Sequence, residues 1–395
     1  MDQMQGETDL FSSAEAAELV EVTRALIGID TVNPPGNERA VAQLLLDRAL
    51  EWGLEGEIVE LSADRANLQL RLPGCSADRP ALMYCGHFDT VPLGGAPWTH
   101  AAHGAHLSPE GVLWGRGAVD MKGGVAAMVC GMAALARRSA RFPAEIRFLG
   151  TIGEEVDCAG ARAALDAGAM DGVGQLVIAE PTNMELVVAH KGALFLELTA
   201  RGRAAHAAMA EQGINAVSHM MRLLGRIEEL DFGVGEYPLL GRPTVTVGTI
   251  TGGSVVNIVP DRCVAQVDLR TTPAVDHQTL LAMLAHLVDA HRVDGVEFDL
   301  HVTGDYPPVG TAPDDPLVTA ADRVLRTLGD DAPHKTAVSY FSDGSILQPP
   351  TGLPTLLCGP GDPTLAHQTD ERIDVAQLIR AARFFSELPY EVFDQ

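Results

Sequence analysis

The chain has no hydrophobic run long enough to cross a bilayer, no paired-cysteine motif and no surplus of positive charge. The most apolar run, Val125 to Ala136, is too short to span a membrane and reads as a buried helix. The opening residues MDQMQGETDLFSS lack the basic and apolar regions of a secretory leader. The six cysteines, at 75, 85, 130, 158, 263 and 358, include no CxxC pair and no tight spacing. That excludes a disulfide framework and a thiolate metal site, and predicts free, mostly buried thiols in a reducing compartment. Lys and Arg number 28 against 53 Asp and Glu, a formal net charge of −25. Such an imbalance argues against nucleic acid and against an anionic membrane surface as partners. A cytoplasmic location is expected.

What the chain does have is length and alternation. Its 395 residues, 46% of them hydrophobic, exceed one ordinary core, so two domains are expected. Residues 1 to 11 are expected to fray. Ser12-x-x-Glu15 resembles a capping box for a first helix, with Leu19, Val20, Thr23, Leu26 and Ile27 at helical spacing. Asn33-Pro34-Pro35-Gly36-Asn37 breaks it, and a second helix follows with Val41, Leu44, Leu45 and Trp52 on one side. Strand-like runs at 57–61, 66–72, 81–85, 146–151 and 175–179 alternate with helices at 121–138 and 160–168, the mark of a largely parallel sheet covered by helices. After His190-Lys191-Gly192 the pattern changes. Strands at 193–201, 244–250, 262–270 and 296–302, with helices at 213–230 and 277–292, suggest an inserted α+β domain. Gly304 to Pro308 reads as a return linker, and a helix at 315–328 and a strand at 354–358 resume the first pattern. The expected division is 1–191, 192–304 and 305–395, the outer segments forming one domain.

Four of the strand-like runs are followed by polar, chemically capable residues. His87 and Asp89 follow 81–85, and Asp120 precedes the helix at 121. Glu154 and Glu155 follow 146–151, Glu180 follows 175–179, and His367 lies shortly after 354–358. In a parallel sheet such positions converge at the C-terminal strand ends. That many carboxylates cannot share a dry site without a cation, and imidazole with carboxylate suits a zinc-type divalent ion.

The motifs GHFDTVP, GRGAVDMKGG, GEE, EPT followed by HKG, and GPG…AHQTDE occur in this order. The chain thereby resembles the co-catalytic zinc amidohydrolases, which include acetylornithine deacetylase, succinyl-diaminopimelate desuccinylase, aminoacylase and glutamate carboxypeptidase. The resemblance runs from Asn33 to Glu371. It implies an α/β, mostly parallel-sheet catalytic domain with an inserted α+β lid that dimerises. It implies two divalent ions, zinc with cobalt as the substitute: His87 and Glu180 on one, Glu155 and His367 on the other, Asp120 bridging. Asp89 would orient His87 through its second ring nitrogen, Glu154 would be the general base, and the Asp120–Met121 peptide would be cis. In the lid, His206 would reach the neighbouring subunit's site to stabilise the oxyanion, while Asn257 and Arg270 would bind the substrate's carboxylate end, a task that suits the arginine fork.

Departures bear on the substrate. Ala207, Ala208 and Ala210 stand where relatives have Ser and a Pro, and His190-Lys191 stands where desuccinylases tend to have two arginines. His100, His103 and His106 read as exposed loop residues. The expected activity is hydrolysis of the amide of an N-acyl amino acid, acetyl preferred, by an acetylornithine deacetylase-like enzyme. The alternatives are a metallo-carboxypeptidase or dipeptidase, a succinyl-diaminopimelate desuccinylase, and a non-catalytic binding relative.

Overall fold

The computed structural model describes residues 11–76, 79–292 and 295–394. The chain divides into two compact units. One comprises the residues up to Val188, 310–336 and those from Ser342 onward; the other comprises Ala189–Val309 and Ala337–Phe341.

The first unit is built on a mixed sheet whose centre is parallel. Ile146–Thr151, Ala81–His87, Val173–Ile178 and Thr355–Leu357 lie side by side in that order. Ala66–Leu72 and Glu55–Glu60 extend it on one side with antiparallel pairing, and Leu186–His190 on the other. Ala81–His87 is buried along its whole length, as an interior parallel strand must be. The register sets His87 level with Thr151, and Cys85 and Leu357 level with Ile178. The four runs expected to carry chemistry therefore end together at one sheet edge.

Helices complete this unit. Ser13–Ile27 begins with the anticipated capping box, the Glu15 amide donating to Ser12 Oγ at 3.3 Å and the Ser12 amide to Glu15 Oε2 at 2.6 Å. Lys122–Arg137 is buried from Lys122 to Leu135 and packs against Ala81–His87 and the C-terminal helix Val375–Phe393. Its first turn explains two glycines of the GRGAVDMKGG motif. A Cβ at Gly123 would lie 2.4 Å from the Ala118 carbonyl oxygen, and one at Gly124 would lie 2.4 Å from that of Ala179. Only glycine lets the helix start press against the strand end that carries Glu180.

The second unit is a four-stranded antiparallel sheet in the order Thr244–Gly252, Arg262–Thr271, Gly192–Arg201, Glu297–Tyr306. Ala216–Glu228 and His277–Ala290 bury Met220, Leu223, Leu280 and Leu284 against strand residues such as Leu196, Leu198 and Val267.

Several expectations need correction. Gly304-Asp305-Tyr306 is not a linker but the end of a strand, where Tyr306 stacks on Phe341 at 4.2 Å. The helices Gly344–Thr351 and Val375–Phe393 lie where no element was expected; they contain Pro349 and Pro350, and Pro389. Phe11 is buried rather than frayed; the same expectation for residues 1–10 lies outside the described residues. His100 and His103 are half-buried, His100 stacking on the exposed His106 at 3.9 Å. All six cysteines are free, and only Cys75 is exposed. Among the described residues no helix is long and apolar enough to cross a membrane.

The close approach at Gly124 predicts that Gly124→Ala costs roughly 1–3 kcal/mol of stability through overpacking. A lowered urea midpoint at unchanged slope would register it; an unchanged midpoint would show that the helix start can move.

Candidate metal centre

The edge of the parallel strands gathers the expected residues of the first unit around Asp120. Asp120 follows the turn Gly115–Val119 and precedes the Lys122–Arg137 helix, with a cis peptide between Asp120 and Met121. Its two carboxylate oxygens face different histidines. Oδ1 is 3.0 Å from His87 Nε2, and Oδ2 is 3.1 Å from His367 Nε2. Glu155 Oε2 meets the same His367 nitrogen at 3.1 Å. On the His87 side, Glu154 Oε2 lies 3.9 Å and Glu180 Oε1 4.0 Å from Nε2. His87, Asp120 and Glu155 form a three-donor group, one atom from each lying within 4.8 Å of the others.

These groups disturb one another strongly. Burial drives the Glu154 carboxyl well above its ordinary value, with Glu180, Glu155 and Asp343 adding to the rise against His87. Burial and then Asp120 raise Glu180 well above its ordinary value and raise Glu155 as well. Asp120 goes the other way: burial would raise it, but the bonds from His367 and His87 hold it below the usual carboxylate range. Hydrogen bonds to Asp120 and Glu155 push His367 up to about 10. For His87, burial favours the neutral form, yet Asp120, Asp89 and Glu154 together raise it well above its ordinary value. Both imidazoles and three of the carboxyls are thus shifted towards their protonated forms. Glu155 Oε1 is buried without a hydrogen-bond partner. Carboxylate oxygens and imidazole nitrogens in this arrangement fit divalent ions of the zinc type.

Two further carboxylates hold the loops in place. Asp89 does meet the second ring nitrogen of His87, but with its main-chain oxygen, which lies 2.9 Å from Nδ1; the carboxylate stands off at 3.6 Å. That carboxylate accepts instead from Asn33 Nδ2 at 2.9 Å and from the amides of Glu154 and Glu155 at 3.1 and 3.2 Å. Glu371, fully buried, accepts from Arg116 Nη1 at 2.6 Å and from the amides of Gly117, Val119 and Asp120 at 3.1, 2.8 and 3.0 Å. The AHQTDE motif contains Glu371, but sequence reasoning assigned it no role. Asp343 was missed too, since Asp-Gly in a loop carries no signal of burial.

The remaining expected residues belong to the second unit. His206 is exposed at the start of a short 3₁₀ turn, its Nδ1 accepting from the Ala208 amide at 3.1 Å. Asn257 is its neighbour, because its main-chain oxygen accepts from the Ala207 amide at 3.0 Å. Arg270 is already engaged: Nε and Nη2 donate to Asp268 at 3.0 to 3.2 Å, and the guanidinium lies 5.6 Å from the centre of the Phe195 ring.

A sheet edge with paired histidines about a shared aspartate has the donor set of a divalent-metal hydrolase. The model of peptidase family M20/M25/M40 matches residues 83–391, and the chain belongs to that family. A probable succinyl-diaminopimelate desuccinylase of Staphylococcus aureus (strain N315) is 27% identical, covering 94% of this chain and 96% of its own length. An acetylornithine deacetylase of Myxococcus xanthus is 29% identical over 81% and 82% of the two chains. Among solved structures, the aminopeptidase PepT from Bacillus cereus ATCC 10987 superposes with a TM-score of 0.78 at 22% identity, covering 97% of this chain and 100% of that one.

The raised imidazoles and carboxyls predict that metal uptake at pH 7 releases about two protons per chain, because imidazole and carboxylate bind metal only when deprotonated. His367, at about 10 without metal, makes affinity rise as pH increases from 7 towards 10. Calorimetric titration in buffers of different ionisation enthalpy measures the count; uptake without proton release would contradict the electrostatic picture.

Proposed function

We propose that the chain deacylates an N-acyl amino acid, acetyl in preference, using two divalent ions, zinc before cobalt, as a cytoplasmic homodimer. The observation that carries the reading is the division of the Asp120 oxygens between His87 and His367. It supports Asp120 as the bridge, His87 with Glu180 as ligands of one ion, and Glu155 with His367 as ligands of the other. When bound, the ions would activate water and polarise the acyl carbonyl.

The chain's own groups do the rest. Glu154 is buried beside this set, and its proton affinity is raised by burial, as suits a group that must hold a proton between two steps. It takes a proton from the attacking water, the new C–O bond forms, and the same proton passes to the departing nitrogen as the C–N bond breaks. His206, supplied by the second protomer, would donate to the oxyanion. Asn257 and Arg270 would hold the carboxylate of the amino acid. The Thr244–Gly252 strand is the outer strand of its sheet, and Ile250, Val255, Val256 and Ile258 on and beyond it are exposed. An open, apolar edge of this kind supports pairing with a second copy.

Acetyl is preferred because the His190-Lys191 pair offers a succinyl carboxylate one ammonium in place of the two arginine forks expected of a desuccinylase. His190 is buried, and burial lowers its pKa to about 4, so it is neutral. Lys191 Nζ donates to the Arg242 carbonyl at 3.1 Å. The 27% match to the desuccinylase makes the succinyl substrate the second reading.

Hydrolysis rates over acetyl-, succinyl- and aminoacyl-amino acids test the reading, with acetyl substrates expected fastest; faster dipeptide or succinyl turnover would replace it. Glu154→Gln should retain both metals by elemental analysis and lose turnover by about 10²–10⁴-fold. A near-normal rate would remove Glu154 from the base role. Mixing His206→Ala with Glu154→Gln protomers should restore part of the activity in verified heterodimers, and no recovery would exclude a site shared between protomers.

A further inference from the structure

Asp343 is 1% exposed and belongs to the same unit as the centre, yet it is neither an expected ligand nor the expected base. It stands immediately before the Gly344–Thr351 helix but makes no side-chain cap bond there, so capping does not account for it. Its Oδ2 accepts from Thr151 Oγ1 at 2.5 Å. The Cys158 thiol, at the far end of the loop that Thr151 begins, donates instead to the Glu154 carbonyl at 3.8 Å. Oδ1 has no partner, although it is buried. A buried carboxylate is costly unless its placement serves something.

Thr151 opens the loop 151–158, TIGEEVDC. Thr151 ends the strand that is in register with His87, and Cys158 ends the loop. The middle of the loop is held separately, by the Asp89 carboxylate on the Glu154 and Glu155 amides. The entry is held by Asp343 through the Thr151 hydroxyl. We propose that Asp343 is a positioning residue that holds the entry of loop 151–158 through Thr151 and thereby sets where the Glu154 carboxylate stands. The proposal rests on the reading of Glu154 as general base. Small misplacements of such a group lower turnover while leaving substrate binding intact.

The test compares Asp343→Ala, Asp343→Asn, Thr151→Val and Glu154→Gln. Each is assayed for kcat, KM, metal content and hydrogen–deuterium exchange across residues 151–158. Asp343→Ala and Thr151→Val should lower kcat by roughly 10- to 100-fold, with KM within about twofold, metal content unchanged and faster exchange in the loop. Asp343→Asn, whose amide oxygen still accepts from Thr151, should recover most of that loss. Thr151→Val carries the test if Asp343→Ala does not fold. This positioning role is overturned if Thr151→Val keeps its kcat, if the loss falls on KM or metal content, or if Asp343→Asn is as impaired as Asp343→Ala. Normal turnover in Glu154→Gln would instead unseat the base, and loop exchange in the other variants would then decide the positioning role by itself.

Discussion

The arrangement of this protein turns on one carboxylate, that of Asp120, with a histidine on each of its oxygens. A carboxylate accepts on both oxygens at once, so it can join two sites that neither histidine could join. Five further carboxyls stand nearby: Glu154, Glu155, Glu180, Asp89 and Asp343 all enter the local electrostatics. Such a concentration is unfavourable unless cations or protons neutralise it. The raised carboxyls and imidazoles are the same constraint expressed in protons.

Holding those charges together requires a scaffold that does not relax away from them. Glu371 supplies part of it, gathering the loop amides of Gly117, Val119 and Asp120 and the Arg116 guanidinium onto one buried carboxylate. Asp89 supplies another part, fastening Glu154 and Glu155 by their amides and Asn33 by its side chain. The acidic groups thus divide into those with oxygens turned to the centre and those spent on backbone. Main-chain amides serve that second task well, because hydrogen bonds to a charged acceptor are stronger than neutral ones. Substituting an amide for Glu371 would keep an acceptor but leave Arg116 buried against a neutral group, a mismatch that typically costs about 3–5 kcal/mol.

The centre was legible in the sequence because its residues follow apolar runs of strand length, and parallel strands align their ends. Gly86-His87, Gly153-Glu154-Glu155 and Glu180-Pro181 each mark such an end. The holding groups were less legible. Glu371 contacts residues more than 250 positions away, and no local pattern encodes a partner at that distance. Asp343 sits next to a glycine, as turn residues do, and only tertiary packing buries it. The C-terminal helices escaped for a different reason: prolines within Gly344–Thr351 and Val375–Phe393 interrupt the reading that periodicity would give. Asp89 is the instructive case. Spacing placed it correctly beside His87, but the contact uses the carbonyl, leaving its carboxylate for the loop.

The second unit follows a different logic, because Arg270 is not a vacant cation. Two of its guanidinium nitrogens donate to Asp268, two residues back on the same strand face, and its plane lies over Phe195. On the proposed reading, a substrate carboxylate must compete with Asp268 for that fork or share it through the remaining donors. Competition weakens binding in proportion to what is given up, but it also raises discrimination. A neutral group in place of the carboxylate could not displace the aspartate, whereas a bidentate carboxylate meets the fork on equal terms. Phe195 lies beside the guanidinium, and Tyr306 and Phe341 pack on the ring in turn. On that reading, selection for a free carboxylate would come from a pre-neutralised arginine on an aromatic support.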